Sequence, residues 1–301
     1  MASTASAVPH GAKRVRQWNI LIPRIIQRVF LYLFLIILAI IFIFPFYDMV
    51  IGSFMDEADL YSRHPNVWPK HGLDISGYTE LLNVYGFWRP LFNSFYLAAV
   101  RTVGTLFFCS LGGFTFAKRR FPGRDKLFFF MLGTMMLPYQ ATLIPWYLLM
   151  VKVFKWADTY WPLWLPAFAS PLYIFWVRQV VATTIPDEMI EAATIDGCSI
   201  FGTFRRIVLP LIAPGLSVVA ILTFIGGWND FLGPLLILNK PEKITAPLAL
   251  ANFLGTQTIP PRYAIMFAGS TLATMPLVII FFVFQKQLVS GIMSGALKGG
   301  A

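Results

Sequence analysis

Two long apolar runs are separated by a polar segment that contains Glu191-Ala192-Ala193-Thr194-Ile195-Asp196-Gly197 and, further on, Ile207-Val208-Leu209-Pro210. Pro186 suits a first helical turn, where its missing N–H is not needed, and the two acidic residues after it face the positive end of the helix dipole. Gly197 indicates where this helix ends, because glycine adopts a positive φ without a Cβ clash. The segment predicts a short helix, a break at Gly197 and a second short helix.

Ser199 is expected to cap the second helix. The apolar residues of that helix are predicted to share one face, as in a helix that lies on an apolar surface: Ile200, Phe201, Phe204, Ile207 and Val208. Pro210 marks the passage into the next apolar run.

The composition is that of an integral membrane protein. Hydrophobic residues make up 57% of the chain and charged residues 13%, which is far from the usual soluble mixture. The net charge of +10 does not indicate nucleic-acid binding, since the cations lie mostly beside the ends of apolar runs. Cys109 and Cys198 are not expected to form a disulfide, and neither they nor the histidines have metal-ligand spacing.

Six apolar runs predict an all-α protein with six transmembrane helices, since about twenty apolar residues cross the hydrocarbon. The predicted spans lie near 29–53, 92–116, 126–150, 160–181, 211–238 and 263–288. The cation-rich loop between the second and third spans is expected inside the cell, so both termini are expected there too. The predicted regions are a cytoplasmic tail, 1–28, a transmembrane domain, 29–290, and a second cytoplasmic tail, 291–301.

Two segments are predicted to lie outside. Residues 55–90 mix acidic, basic, aromatic and proline residues, which is typical of a folded loop. Residues 239–262 contain a segment, 247–255, that is too short to span a membrane but apolar enough to be covered. The segment 182–210 lies on the predicted inner side.

The pattern Glu-Ala-Ala, Gly, Ile and Leu-Pro within 191–210 resembles the cytoplasmic coupling loop of ABC importer permeases; a plain amphipathic surface loop is the alternative. The likeness covers about residues 29–300. It resembles the carbohydrate-uptake branch, and most of all the smaller membrane subunit of maltose-type importers, through these further motifs: Asn93-Ser94, Phe121-Pro122-Gly123, Leu137-Pro138, Ile144-Pro145, Trp228-Asn229-Asp230 and the closing 291–299.

The resemblance implies a type I ABC importer permease fold in the bacterial inner membrane. It also implies several partners: a second homologous permease, two copies of an ATP-binding subunit and an extracellular or periplasmic substrate-binding protein. The residues that would contact the ATPase are Glu191, Ala192, Ala193, Asp196 and Gly197. The chain itself is expected to be no enzyme and to hold no cofactor or metal, because it lacks a Gly-rich phosphate-binding loop with its Lys and Ser/Thr.

Three ionisable residues fall within or beside apolar runs, where charge is costly and is usually paired or functional. For Asp48 and Arg101 we expect structural pairing or a position at the interface. Trp228, Asn229 and Asp230 are candidates for the substrate pathway, with a structural role as the alternative. Nearby glycines and Pro234 predict a broken helix that lines a cavity.

The resemblance also implies that part of the second outer loop reaches into the docked binding protein: Asn252, Phe253, Leu254, Gly255, Thr256 and Gln257. The alternative is that this loop only covers the outer mouth of the spans. The expected solute is a sugar or oligosaccharide. A polyol, a glycerol phosphate derivative or an anionic oligosaccharide is the alternative solute, and an ion-coupled secondary transporter is the rival class.

Overall fold

The structure is a computed structural model that describes residues 12–62, 66–254 and 262–296, with side chains from 27 to 287. Within these residues the chain forms helices and no strand. The α-helices, in chain order, are α1 (Ala12–Gly52), α2 (Glu57–Leu60), α3 (Ser76–Asn83), α4 (Trp88–Lys118), α5 (Arg124–Thr134), α6 (Tyr139–Leu148), α7 (Trp161–Phe168), α8 (Pro171–Thr184), α9 (Asp187–Ile195), α10 (Ile200–Thr203), α11 (Leu209–Trp228), α12 (Leu232–Ile237), α13 (Ala246–Ala251) and α14 (Tyr263–Ala296).

Four continuous helical segments in the described residues are long and apolar enough to cross a membrane: Gln27–Gly52, Trp88–Lys118, Ile200–Trp228 and Tyr263–Gln287. The segments Arg124–Thr134 and Tyr139–Val153 together meet the same requirement, but they are bent by 99° at the break between them. Pro138 precedes the second segment with extended backbone, which suits a residue whose ring clashes with a continuing helix. The structure is therefore that of an all-α, multi-pass membrane protein.

Two further predicted spans are interrupted. The run 160–181 forms α7 and α8, with Pro171 opening the second helix, so neither helix has the length of a span. The run 211–238 breaks between α11 and α12, which confirms the predicted broken helix. At the other end of the chain, α1 runs through the predicted boundary at residue 28. The count of six spans and the orientation of the termini stay predictions.

Helix α4 lies at the centre of the fold and packs against α7, α8 and α11. Its approach to α8 is close enough to require glycine. A Cβ built at Gly113 would lie 2.7 Å from Val177 Cβ and 2.8 Å from the Arg178 backbone N. By contrast, the most apolar stretch of α1 has no buried residue within the chain.

The half of the fold on the predicted inner side is held by one apolar cluster, the inner cluster, that joins α4, α8, the segment 186–208 and α11. Its buried members are Phe114, Val177, Val181, Ile185, Ile190, Phe204, Val208, Ile212, Leu216 and Val219. The segment that the sequence marks as a coupling loop is therefore packed onto three helices.

The opposite end of α4 fixes the second outer loop. Asn93 Nδ2 donates hydrogen bonds to the carbonyl oxygens of Glu242 and Ile244, at 3.0 and 2.9 Å. Ser94 Oγ accepts one from the Ala246 N–H at 2.8 Å, at the start of α13. The sequence marks Asn93-Ser94 only as a family motif. The structure shows that these two side chains hold the second outer loop to α4.

Candidate functional site

The segment from Pro186 to Val208 forms the predicted helix, break and helix. Helix α9 ends at Ile195, and Gly197 follows with φ +76°. The Ser199 hydroxyl accepts a hydrogen bond from the Gly202 N–H at 3.1 Å and so caps α10. These three local predictions are confirmed.

Pro210 does not interrupt the helix. A π-helical turn, Phe204–Val208, joins α10 to α11, and the helix continues through to Trp228. A proline cannot donate to the carbonyl one turn earlier, and a local π adjustment is one way in which a membrane helix accommodates it. The predicted passage into the apolar run is thus a continuous helix.

The apolar residues that are predicted to share one face of the second helix differ in burial. Phe204 and Val208 are buried in the inner cluster, but Ile200 and Phe201 are each 52% exposed. Burial differs because Phe204 and Val208 pack on the helices of the inner cluster. Ile200 and Phe201 lie in α10, one turn earlier, and are not members of that cluster.

The candidate ATPase-contact residues divide into two groups. Glu191, Ala192, Asp196 and Gly197 are exposed. Ala193 is buried, so its small side chain fits packing within this chain.

Exposed apolar side chains lie on both sides of Gly197 in the sequence. Ile195 is 85% exposed, and Met189, Ile200 and Phe201 are also exposed. Exposed apolar side chains grouped together mark interaction surfaces. We call these four residues, with Glu191, Ala192, Asp196 and Gly197, the coupling surface. The sequence pattern identified its small and acidic members but missed Ile195 and Met189, for which exposure is the only signal.

An ion pair joins the coupling segment to the central helix. Lys118 Nζ, at the inner end of α4, lies 2.5 Å from Asp187 Oδ1 in the first turn of α9. The Lys118 side chain is 8% exposed and that of Asp187 is 74% exposed. The hydrogen bond from Lys118, reinforced by its charge, holds the pKa of the Asp187 carboxyl below its usual range.

The break between α11 and α12 is the second candidate site. Asp230 lies in this break, and its Oδ2 is 3.4 Å from Arg101 Nη1, near the middle of α4. The expected pairing of Arg101 is thus observed. Asn229 and Asp230 line a cavity of about 410 Å³ together with Arg101 and Tyr139. Asp48 is exposed on α1 and has no ion-pair partner among the described residues.

Trp228 is placed differently from its two neighbours in sequence. It is 3% exposed, and its Nε1 donates a hydrogen bond to the Ala273 carbonyl of α14 at 3.0 Å. Its ring stacks on Phe224 with centroids 6.0 Å apart. In this arrangement Trp228 braces α11 against α14 and does not line the cavity that Asp230 lines.

The predicted binding-protein contact begins in a one-turn helix, Asn252–Leu254. Asn252 and Leu254 are exposed, whereas Phe253 is buried in an outer apolar cluster with Leu81 and Ile265. Gly255, Thr256 and Gln257 lie outside the described residues.

The residues that flank the segment 255–261 are fixed by hydrogen bonds. The Arg262 N–H donates to the Phe253 carbonyl at 3.1 Å. The Arg262 guanidinium also binds both carboxylate oxygens of Glu80, at 2.7 and 2.6 Å. This charge-assisted pair, through Glu80, fastens the base of the loop to α3.

Comparison with known proteins gives a consistent result. Residues 109–294 match the family described as the binding-protein-dependent transport system inner membrane component. The chain is 34% identical to the arabinooligosaccharides transport system permease protein of Bacillus subtilis, over 91% of this chain and 97% of that protein. It is also 34% identical to the trehalose/maltose transport system permease protein of Thermococcus litoralis, over 91% of this chain and 98% of the relative.

Two further matches differ in the solute that they name. The chain is 31% identical to the sn-glycerol-3-phosphate transport system permease protein of Escherichia coli, over 88% of this chain and 95% of that protein. Its fold matches, at 20% identity and a TM-score of 0.76, a bacterial ABC transporter involved in the import of the acidic polysaccharide alginate, covering 93% of this chain and 99% of that one. The chain is therefore a member of the inner membrane component family of binding-protein-dependent transport systems.

Proposed function

We propose that this chain forms half of the translocation pathway of an ATP-driven ABC importer for a sugar or oligosaccharide. The observation that carries the proposal is the coupling surface around Gly197. It is exposed and partly apolar, yet its helix α9 is built into the inner apolar cluster. A partner bound there would move α9 together with α4, α8 and α11.

The partner at the coupling surface is proposed to be an ATP-binding subunit, in two copies per complex, and ATP hydrolysis is proposed to occur on that subunit. The exposed Glu191 would pair with a cation of the partner, and Ile195 would enter an apolar pocket. Gly197 would allow close approach of the backbone. The other half of the pathway is assigned to a second homologous permease, and the whole complex to the bacterial inner membrane.

On the outer side, we assign to Asn252, Leu254 and the segment 255–257 the contact with a solute-loaded binding protein. Support comes from the fixed base of the loop, where Arg262 binds Phe253 and Glu80. Because Phe253 is buried, it anchors the loop and does not reach outward.

The solute proposal draws on the relatives, two of which are named for neutral oligosaccharides or disaccharides. A polyol, a glycerol phosphate derivative or an anionic oligosaccharide is the alternative, since other matches are named for glycerol phosphate and alginate.

The test is uptake into proteoliposomes that contain the assembled complex, with the binding protein and labelled oligosaccharide outside. We expect uptake that requires internal ATP and continues after ionophores abolish the proton and sodium gradients. Uptake that continues without ATP but stops with ionophores would instead identify an ion-coupled transporter and contradict the proposal.

A further inference from the structure

Two cavities in the described part of the chain meet at the same three side chains: Arg101, Tyr139 and Asp230. One cavity, of about 410 Å³, lies against the break between α11 and α12. The other, of about 260 Å³, extends toward Trp146 and Tyr173. These three side chains therefore line both cavities.

An ion pair that is largely shielded from solvent among apolar helices has an energetic cost. Arg101 lies near the middle of α4, and the Arg101 and Asp230 side chains are only 26% and 23% exposed. A pair of apolar residues of similar size would be as stable or more stable in such a position. Ionisable residues within membrane segments are usually functional.

The pair is far from saturated with hydrogen bonds. Arginine offers five N–H donors and a carboxylate about four acceptor sites. Among the described residues, Arg101 makes one hydrogen bond, the 3.4 Å contact with Asp230. Its Nε is buried without an acceptor. Asp230 additionally accepts only from the Gly233 N–H, at 3.2 Å. Donors and acceptors thus remain side by side at the edge of both cavities.

The local charge is balanced. Among the described residues, Arg101 is the one basic residue that lines either cavity, and the carboxylate of Asp230 offsets its charge. An anionic solute would meet the repulsion of Asp230 and find no unpaired cation. A sugar hydroxyl, in contrast, donates to a carboxylate and accepts from a guanidinium at once. Trp146 and Tyr173 also line the second cavity, and aromatic rings provide large apolar surfaces against which the C–H groups of a sugar ring can pack.

We propose that Arg101, Tyr139 and Asp230 form a contact site for a neutral, hydroxyl-rich solute, and that their balanced charge disfavours anionic solutes. This inference rests on the proposed function and narrows its solute class. Asp230 acts as acceptor, Arg101 as donor, and the Tyr139 hydroxyl supplies a further polar contact at the junction of the cavities.

The test uses the wild-type complex in proteoliposomes with internal ATP and external binding protein. The neutral probes are arabinotriose and maltotriose, and the anionic probes are glycerol 3-phosphate and trigalacturonate. We expect uptake of a neutral probe, with no inhibition by excess of either anion. ATP-dependent uptake of an anion but of neither neutral probe overturns the inference and leaves the importer function intact. Absence of ATP-dependent uptake of all four contradicts the proposed solute class itself.

Asp230→Asn leaves Arg101 without its carboxylate. We expect neutral uptake to fall about tenfold, and trigalacturonate to become an inhibitor. A merely structural role would lower the rate without creating sensitivity to an anion. Asp48→Asn is the matched control, because Asp48 is also on an apolar helix but lines neither cavity.

Tyr139→Phe keeps the inference testable if Asp230→Asn fails to assemble. It removes one hydroxyl from an exposed residue. We expect the half-saturating concentration of the neutral probe to rise several-fold. Neutral uptake and anion sensitivity equal to wild type in Asp230→Asn overturn the inference, and so does an unchanged half-saturating concentration in Tyr139→Phe.

Discussion

Lys118 and Asp187 connect the two parts of the chain that a coupling mechanism must join. Lys118 is the last residue of α4, and Asp187 is the first residue of α9, which carries part of the coupling surface. Because Lys118 is nearly buried, its charge depends on this one carboxylate more than the exposed Asp187 depends on it. The pair therefore holds α9 directly to α4, in addition to the packing of α9 in the inner apolar cluster.

Removing the carboxylate should weaken this connection. We expect Asp187→Asn to lower ATP-dependent uptake while the ATPase stays bound, since Asp187 pairs with Lys118 of this chain and is not one of the residues of the coupling surface. Uptake and co-purification of the ATPase measure the two effects. Exchange of the charges, Lys118→Asp with Asp187→Lys, should restore part of the uptake; failure of the exchange together with normal uptake in Asp187→Asn would contradict the assigned role.

The same pair predicts a pH dependence. The pKa of Asp187 is lowered in the folded chain, so its contribution to stability is fully present above the unfolded-state pKa of about 3.9 and is lost as the pH falls through the folded value. The difference in thermal stability between wild type and Asp187→Asn, measured in detergent, should therefore be largest near neutral pH and disappear on acidification below about pH 4. If the difference in thermal stability instead grew on acidification, the assigned contribution of the Lys118–Asp187 pair would be wrong.

The coupling surface predicts a loss of ATPase binding without loss of folding. Glu191→Ala removes an exposed carboxylate, and Gly197→Asp adds a side chain where φ is +76°. We expect both variants to reach the membrane and to lose co-purifying ATPase and uptake. Asp125→Ala is the control, because that exposed carboxylate pairs with its neighbour Arg124. Normal ATPase binding and uptake in both variants would contradict the assignment of the coupling surface to ATPase contact.

Gly113 predicts a packing defect between α4 and α8. Its added Cβ would meet Val177 Cβ at 2.7 Å, so Gly113→Ala should lower the free energy of unfolding by about 1–3 kcal/mol. Gly133→Ala is matched to it, since a Cβ there meets nothing within 4 Å, and it should be neutral or slightly stabilising. Thermal unfolding of the two purified variants gives the comparison, and equal midpoints would show that the helices separate easily.

The second outer loop is predicted to be required for stimulation of ATP hydrolysis by the loaded binding protein. Deletion of 255–257 keeps the buried Phe253, so the outer cluster should remain intact. We expect weaker stimulation of ATP hydrolysis by loaded binding protein, with basal hydrolysis unchanged because the coupling surface is untouched. Stimulation and uptake at wild-type levels would mean that the loop only covers the outer mouth.

Local signals in the sequence predicted local structure well. The acidic residues that follow Pro186, Gly197 with its positive φ and Ser199 as a cap each act within one or two turns, and the structure has all three where they were expected. The resemblance to importer permeases likewise gave the fold class, which the comparison with known proteins confirms.

Contacts between distant residues could not be predicted in the same way. A charge in an apolar helix required an acid, but nothing in the sequence paired Arg101 with Asp230 rather than with Asp48. The same holds for Trp228 and its acceptor Ala273. A run of apolar residues predicts burial or lipid contact, but not the bend at Pro138 or the π turn at Phe204–Val208.

Helix α4 differs from the bent and interrupted helices around it because it runs unbroken from Trp88 to Lys118. Asn93 and Ser94 hold the outer loop at one end, and Lys118 holds α9 at the other, about 38 Å away along the axis. A continuous helix resists compression, so an axial shift imposed at either end reaches the other within the same element. Arrival of a loaded binding protein and closure of the ATPases would then act on opposite ends of one rigid rod.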